Sequence, residues 1–239
     1  SFYFPGAKEP AVSHVSFEAK PGETTAIIGS TGSGKTALVG LIPRFYDVQE
    51  GEVLVDGVNV KDYDRRTLRR KIGYVPQKAL LFKGTIMENI RFGDDSASDE
   101  RVKEAAAIAQ STDFIEDKPD GFDSSISQGG SNVSGGQRQR LAIARAIVRK
   151  PEIYVFDDSF SALDFKTDSA LRQALSKETG NATVVIVAQR VSTIMNADRI
   201  IVMDEGKVMG IGTHRELLNT CGTYQEIVRS QLSEEEMSA

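Results

Sequence analysis

Gly29-Ser30-Thr31-Gly32-Ser33-Gly34-Lys35-Thr36 is the segment that most narrows what this chain can fold into. It fills every fixed position of the spacing G-x-x-x-x-G-K-[ST]. Before it, residues 24–28 are β-rich and read as a buried strand; after it, residues 37–42 read as the start of a helix. Strand, glycine loop and helix form the context in which this spacing binds phosphate. The glycines let backbone N–H groups turn inward around phosphate oxygens, and the helix N-terminus adds positive partial charge. Ser30, Thr31, Gly32, Ser33 and Gly34 then line the cradle. Lys35 reaches the β- and γ-phosphates of a nucleotide, and Thr36 offers its hydroxyl to Mg²⁺. The competing reading is a Gly/Ser turn followed by a surface lysine.

Two further segments carry related chemistry. Residues 153–157 form a short apolar run ending in Asp157. Such strands are buried in parallel sheets, and their C-terminal ends hold the ligand chemistry. Asp157 is expected to hold Mg²⁺ through a water. Ser134-Gly135-Gly136-Gln137 reads as a capping box opening a helix over about residues 135–149. Two adjacent glycines in a first turn cost about 1 kcal/mol each relative to Ala, which points to close backbone approach by something else. A helix N-terminus bearing a Ser hydroxyl also suits an anion, so the segment reads as both a cap and a second phosphate site.

Composition sets limits. A chain of 239 residues can bury a full α/β core. Its 29 basic and 34 acidic residues, net −5, argue against a broad nucleic-acid surface. Cys221 is the single cysteine and allows no internal disulfide, which fits a reducing compartment. Two distant histidines, His14 and His214, with that cysteine form no transition-metal cluster; His14 reads as a strand or loop residue and His214 as the start of a helix. No apolar run reaches the roughly 18 residues a membrane span requires, and no signal peptide is present. The abrupt start at Ser1-Phe2-Tyr3 suggests a C-terminal domain separated from a preceding membrane portion. Ser233-Glu234-Glu235-Glu236 reads as a frayed natural terminus.

The expected organisation has three parts. Residues 1–76 carry β-rich segments and the glycine-loop helix. Residues 77–149 are mostly helical, over 85–91, 98–110 and 134–149, with Ser98 as an N-cap. Residues 150–239 alternate strands (153–156, 183–188, 199–203, 207–210) with helices, a pattern that argues for a parallel sheet with crossover helices.

In order and spacing these motifs resemble the nucleotide-binding domain of exporter-type ABC transporters. The resemblance covers essentially the whole chain: Gly29–Thr36 as Walker A, Gln77 as Q-loop, Ser134–Gln137 as signature, Ile153–Asp157 as Walker B, Ser161-Ala162-Leu163-Asp164 as D-loop, and Gln189 at the switch position. Arg44-Phe45-Tyr46-Asp47, the stretch from Leu81 to Ile90, and the tail from Ala197 to His214 are also exporter-like. The implied fold is α/β, a P-loop NTPase with a mixed-sheet core, an antiparallel β subdomain and a helical subdomain. The implied ligand is ATP with Mg²⁺, the metal held by Thr36, Gln77 and Asp157. The implied partners are a second nucleotide-binding domain, docked head to tail so that each ATP lies between one Walker A and the other signature, and a linked or associated transmembrane domain. The implied location is the cytoplasmic face of a membrane, with the domain itself soluble. Asp164 is carried over as a nucleotide-side residue of the D-loop. Phe4, in Phe2-Tyr3-Phe4-Pro5, is the expected ring stacked on adenine, with Tyr3 the alternative, since alternation along a strand points the two to opposite faces.

The chain departs from the family pattern at two places. A Glu usually follows the Walker B Asp; here it is Asp158, still a carboxylate but one methylene shorter. The usual switch His is Gln189, which can donate a hydrogen bond but carries no charge. Both changes fall on hydrolysis, while Lys35, Thr36, Gln77 and Asp157 are untouched. Asp158, Gln189 and Gln77 are therefore the expected catalytic positions, at a site that holds ATP and turns it over slowly. Because the signature is nearly regular and serves the opposite site, the expected partner is a different chain with a competent site. The alternatives are tolerated variants in an active homodimer and a regulatory ATP-binding module. The segment Ser124–Gly130, where the family has a short acidic stretch sensing the membrane domain, contains no acid. A chromosome-maintenance ATPase head is disfavoured by the lack of a coiled-coil insertion, and a nucleotide kinase has no need of Ser134–Gln137.

Overall fold

The computed structural model describes residues 1–231; the acidic end Ser233–Glu236 lies outside the described residues. The chain divides into two compact units, Ser1–Ile72 with the chain from Thr183 onward, and Gly73–Ala182.

The first unit opens with an isolated antiparallel bridge between Phe2 and Val12. Residues 13–20 alternate between half-buried and exposed, as an extended chain does, yet are assigned to no strand. The N-terminal part is thus less regular than its β-rich composition suggests. β1 (Thr24–Gly29) follows, with four consecutive buried residues, the pattern of a strand covered on both faces. α1 (Lys35–Gly40) is short. Pro43 lacks the N–H a helix needs, and its ring disfavours helical backbone just before it, so the helix stops in a turn. β2 (Leu54–Val55) and β3 (Val58–Asn59) make a small antiparallel pair. Asp56 and Gly57 between them both have left-handed backbone, at φ 52° and 75°, as a two-residue hairpin demands. α2 (Arg65–Arg70) is capped by Asp64, whose carboxylate accepts the Thr67 N–H.

The second unit contains β4 (Ile72–Val75, its first residue contributed by the other unit), β5 (Gly84–Thr85), α3 (Ile86–Arg91), α4 (Asp99–Ile108), α5 (Thr112–Glu116), β6 (Ser125–Ile126), α6 (Gly135–Val148), β7 (Ile153–Asp157) and α7 (Phe165–Glu178). β4 and β7 are neighbours. β5 and β6 pair antiparallel, and α3 and α4 pack on α6. The expected caps are present: Ser98 caps α4, and Ser134 and Gln137 form the box on α6; Thr85 and Glu88 form a further capping box on α3. Two arginines tie the helices together. Arg101 of α4 donates to the carbonyls of Ile147 and Val148 at the C-terminus of α6 and to the Glu178 carboxylate of α7. Arg145 of α6 donates to the Leu80 and Asn89 carbonyls and lies over the rings of Phe82 and Phe92. Burial pushes its guanidinium down to about 10.

The chain returns to the first unit with β8 (Thr183–Val187), α8 (Val191–Ile194), β9 (Arg199–Asp204), β10 (Lys207–Gly212), α9 (His214–Thr220) and α10 (Gly222–Gln231). Strand order there is β10-β9-β1-β8. β1 pairs parallel with β8, Ala26 opposite Ile186, and parallel with β9, Ala26 opposite Ile200. β10, expected from the alternation to extend a parallel sheet, instead runs antiparallel to β9. The two-residue turn Glu205-Gly206 has φ 44° and 76°, the left-handed pair of a tight hairpin, and so short a link cannot make a parallel crossover. With parallel and antiparallel pairs, a small antiparallel hairpin and a helix-rich second unit, the fold is the mixed α/β fold that the sequence implies.

Gly93 shows how tightly the second unit is packed: a Cβ there would overlap the Arg145 carbonyl and crowd Val148. Gly93→Ala is expected to destabilise the protein by about 1–3 kcal/mol, read as a lower urea midpoint at unchanged slope.

Candidate nucleotide site

The phosphate loop is built by the first unit. Gly29 ends β1 where a Cβ would overlap the Met203 carbonyl of β9, so the two strands close only on glycine. Gly32 and Gly34 take φ 82° and 93°, backbone that side chains disfavour. At Gly34 a Cβ would also overlap the Ala11 carbonyl. Gly34 is the N-cap of α1 and brings no side chain to bond the first-turn N–H groups, which leaves that turn suited to anionic oxygens. Lys35 is only 9% exposed. Its Nζ donates to the Gly29 carbonyl at 2.9 Å, the Ser30 carbonyl at 2.7 Å and Ser33 Oγ at 3.2 Å. The ammonium thus lies across the loop, donating to two of its carbonyls and to a serine hydroxyl. Thr31 and Thr36 are exposed. Ser30 Oγ donates to Asp204 at 2.9 Å, and the Gly206 N–H to the Ser33 carbonyl, so the β9–β10 turn braces the loop. The motif gives no hint of that brace, because its two halves lie 174 residues apart.

The second unit holds the carboxylates. β7 delivers Asp157 and Asp158, 2% and 6% exposed. Buried carboxylates need donors, and β4 and the residues after it supply them. Tyr74 Oη donates to Asp157 Oδ2 at 3.0 Å, and Gln77 Nε2 donates to Asp158 Oδ2 at 3.0 Å. Ser159 Oγ donates to the Val75 carbonyl at 2.9 Å, and Gln139 Nε2 to the Pro76 carbonyl at 3.2 Å. Gln77, Asp157 and Asp158 are therefore brought together as the motifs imply. Asp158 takes φ 50°, a left-handed backbone that Asp tolerates better than most side chains.

Ser134 Oγ accepts the Gln137 N–H and Gln137 Oε1 accepts the Ser134 N–H, so the side chains of the signature-like segment close on each other. A Cβ on Gly136 would stand 3.3 Å from the Ala162 carbonyl, whereas one on Gly135 would meet nothing within 4 Å. Close approach within the chain thus accounts for one glycine and leaves the other facing open space. Asp164 caps α7: its carboxylate accepts the Thr167 N–H at 3.0 Å and the Thr167 hydroxyl at 2.7 Å, and the N–H bond leads in holding it below the usual carboxylate range. Gln189 is exposed after β8, and its carbonyl accepts Gln231 Nε2 at 2.8 Å. Gln231 Oε1 in turn accepts the Val191 N–H at 2.8 Å, so the end of α10 clasps the segment after β8. Phe4 is 41% exposed and meets Phe2 and Tyr46 edge-on at 4.9 and 5.4 Å; Tyr3 is half-buried.

Each unit carries hard oxygen donors of the kind Mg²⁺ takes: the Thr36 hydroxyl on the first, and the Asp157 carboxylate and Gln77 carboxamide oxygen on the second. No group of three or more His, Cys, Asp or Glu suited to a metal occurs among the described residues, and none of their helices is long and apolar enough to cross a membrane.

Residues 12–161 match the sequence profile of the ABC transporter family. An ABC transporter ATP-binding protein of Mycobacterium tuberculosis is 49% identical over 97% of this chain and 40% of its own length. An ATP-dependent lipid A-core flippase of Chromobacterium violaceum is 44% identical over 98% of this chain and 40% of its own length. This chain thus spans about two-fifths of each of these relatives. Among solved structures, a bacterial Atm1-family ABC exporter with ATP bound aligns at a TM-score of 0.93 and 37% identity, over 98% of this chain and 41% of that one.

Removing the Lys35 ammonium takes from the loop a charge-assisted donor worth about 1.5–3 kcal/mol. Lys35→Ala is expected to weaken ATP binding at least about tenfold by calorimetric titration; unchanged affinity would place the phosphates elsewhere.

Proposed function

We propose that this chain, which belongs to the ABC transporter family, is the ATP-binding domain of an exporter whose own site binds ATP–Mg²⁺ firmly and hydrolyses it slowly. Asp158 carries the reading. It stands where the family places Glu, is one methylene shorter, and already accepts a hydrogen bond from Gln77.

ATP with Mg²⁺ brings the phosphoanhydride bond whose cleavage drives the motor; the chain's residues bind and orient it. Lys35 carries positive charge to the β- and γ-phosphates, its ammonium exchanging loop carbonyls for phosphate oxygens. Thr36 and Asp157 offer oxygens to the metal. Asp158 occupies the position that orients and deprotonates the attacking water. Its reach is shorter than that of Glu by about an ångström, where a productive hydrogen bond spans about 2.6–3.2 Å. Gln189 can donate towards the γ-phosphate, but it adds no positive charge where charge develops in the transition state. Phe4, exposed on one side and braced at its edges, is the ring for adenine.

The intact Ser134–Gln137 segment serves a second nucleotide-binding domain, one that carries the usual Glu and His. Together with a transmembrane domain the pair works at the cytoplasmic face of a membrane. The relatives' lengths, of which this chain spans 40%, leave room for that membrane part.

The deciding comparison is ATP affinity and turnover of the protein beside the double variant Asp158→Glu, Gln189→His. Equal affinity with turnover raised by about tenfold or more is expected, an effect of about 1.4 kcal/mol or more on the barrier. Brisk turnover before the change, little altered after it, would sink the slow-site reading in favour of a homodimeric motor. Ser134→Arg is expected to leave ATP binding by this chain unchanged while impairing turnover at the partner's site. Loss of this chain's own binding would instead place Ser134 in its own nucleotide site.

A further inference from the structure

The exit of β4, Tyr74-Val75-Pro76-Gln77, is stitched to the exit of β7 residue by residue. Tyr74 donates to Asp157 at 3.0 Å, Ser159 donates to the Val75 carbonyl at 2.9 Å, and Gln77 donates to Asp158 at 3.0 Å. Ser159 and Gln77 hold a backbone and the water-orienting carboxylate. Tyr74 alone in this set addresses the carboxylate assigned to the metal. Its hydroxyl is part-buried and donates a charge-assisted bond, which is stronger than a neutral one. An aspartate whose Oδ2 is tied in this way cannot turn freely about its last torsion, so the plane its lone pairs present is set before any cation arrives. Groups one step removed from a metal commonly set ligand orientation, and losing one costs about 10–100-fold in metal affinity or activity.

We propose that Tyr74 is a positioning residue for Mg²⁺ at this site, acting through Asp157: its phenol fixes the carboxylate that receives the cation. The inference rests on the nucleotide-site reading given above. Tyr74→Phe removes the donor and keeps the ring.

The test is Mn²⁺ binding in the presence of ATP, followed by electron paramagnetic resonance on the whole chain, with ATP affinity measured separately in EDTA. Asp157→Asn marks the limit of a lost ligand. For Tyr74→Phe the expected result is a Mn²⁺ half-saturation raised about tenfold, with metal-free ATP affinity unchanged. A purely structural role would lower the melting temperature and weaken metal-free ATP binding along with Mn²⁺ binding, and that outcome overturns the proposal. So does an unchanged Mn²⁺ half-saturation in Tyr74→Phe when the unmodified protein binds Mn²⁺ with ATP. If the unmodified protein shows no ATP-dependent Mn²⁺ site, the nucleotide-site reading itself fails and the proposal falls with it.

Discussion

The closeness of Gly29 to the Met203 carbonyl is the constraint on which the first unit depends. β1 is flanked by strands on both edges, β8 on one and β9 on the other, in parallel register. Parallel ladders are buried on both faces, which is why residues 26–28 are all apolar and covered. At the end of that ladder the chain must leave the sheet and turn back on itself within a few residues. Any side chain at position 29 would push β9 away, and with it the Asp204 carboxylate and the Gly206 amide that brace the loop. One backbone contact thus sets strand register and loop shape together.

A second economy governs the carboxylate strand. Two adjacent aspartates at 2% and 6% exposure are expensive unless each finds donors. The donors come from a segment more than 80 residues earlier, Tyr74 and Gln77. The same bonds that make the burial tolerable also aim the carboxylates, so folding energy and site geometry are not separable there. Arg145 plays a comparable part among the helices. Its guanidinium sits deep enough for burial to lower it to about 10, yet it satisfies carbonyls of Leu80 and Asn89 and covers two phenylalanine rings. Neither cluster reads as decoration on a finished fold.

Much of this was legible beforehand where the physics is local. The capping box at Ser134 involves residues three apart, and the structure closes it. The glycine loop and the apolar strands β1, β7, β8 and β9 follow from period and composition over short windows, whereas the mixed sheet was implied only by the family resemblance. The antiparallel turn of β10 was missed because Glu205-Gly206 is not one of the usual Asn-Gly or Asp-Gly hairpin pairs, although its glycine marks a turn. Tyr74, Gln231 and Asp204 were missed for a different reason. Each acts on a residue at least 40 positions away, 83 for Tyr74 and 174 for Asp204, and no local pattern distinguishes them.

The amino-acid order by itself determined the kinds of chemistry present: a phosphate loop, an acid pair with the shorter Asp158, an uncharged Gln189 and a capped helix start at Ser134. These depend on side-chain identity and near-neighbour spacing, which a linear chain displays openly. Only the tertiary structure decided which groups hold those residues in place. It alone showed that Gln77 bonds Asp158, that Tyr74 bonds Asp157 and that Asp164 closes on Thr167 as a helix cap. The first two are long-range, set by where strands leave their sheet. The third is local, but whether Asp164 caps a helix depends on α7 starting at Phe165.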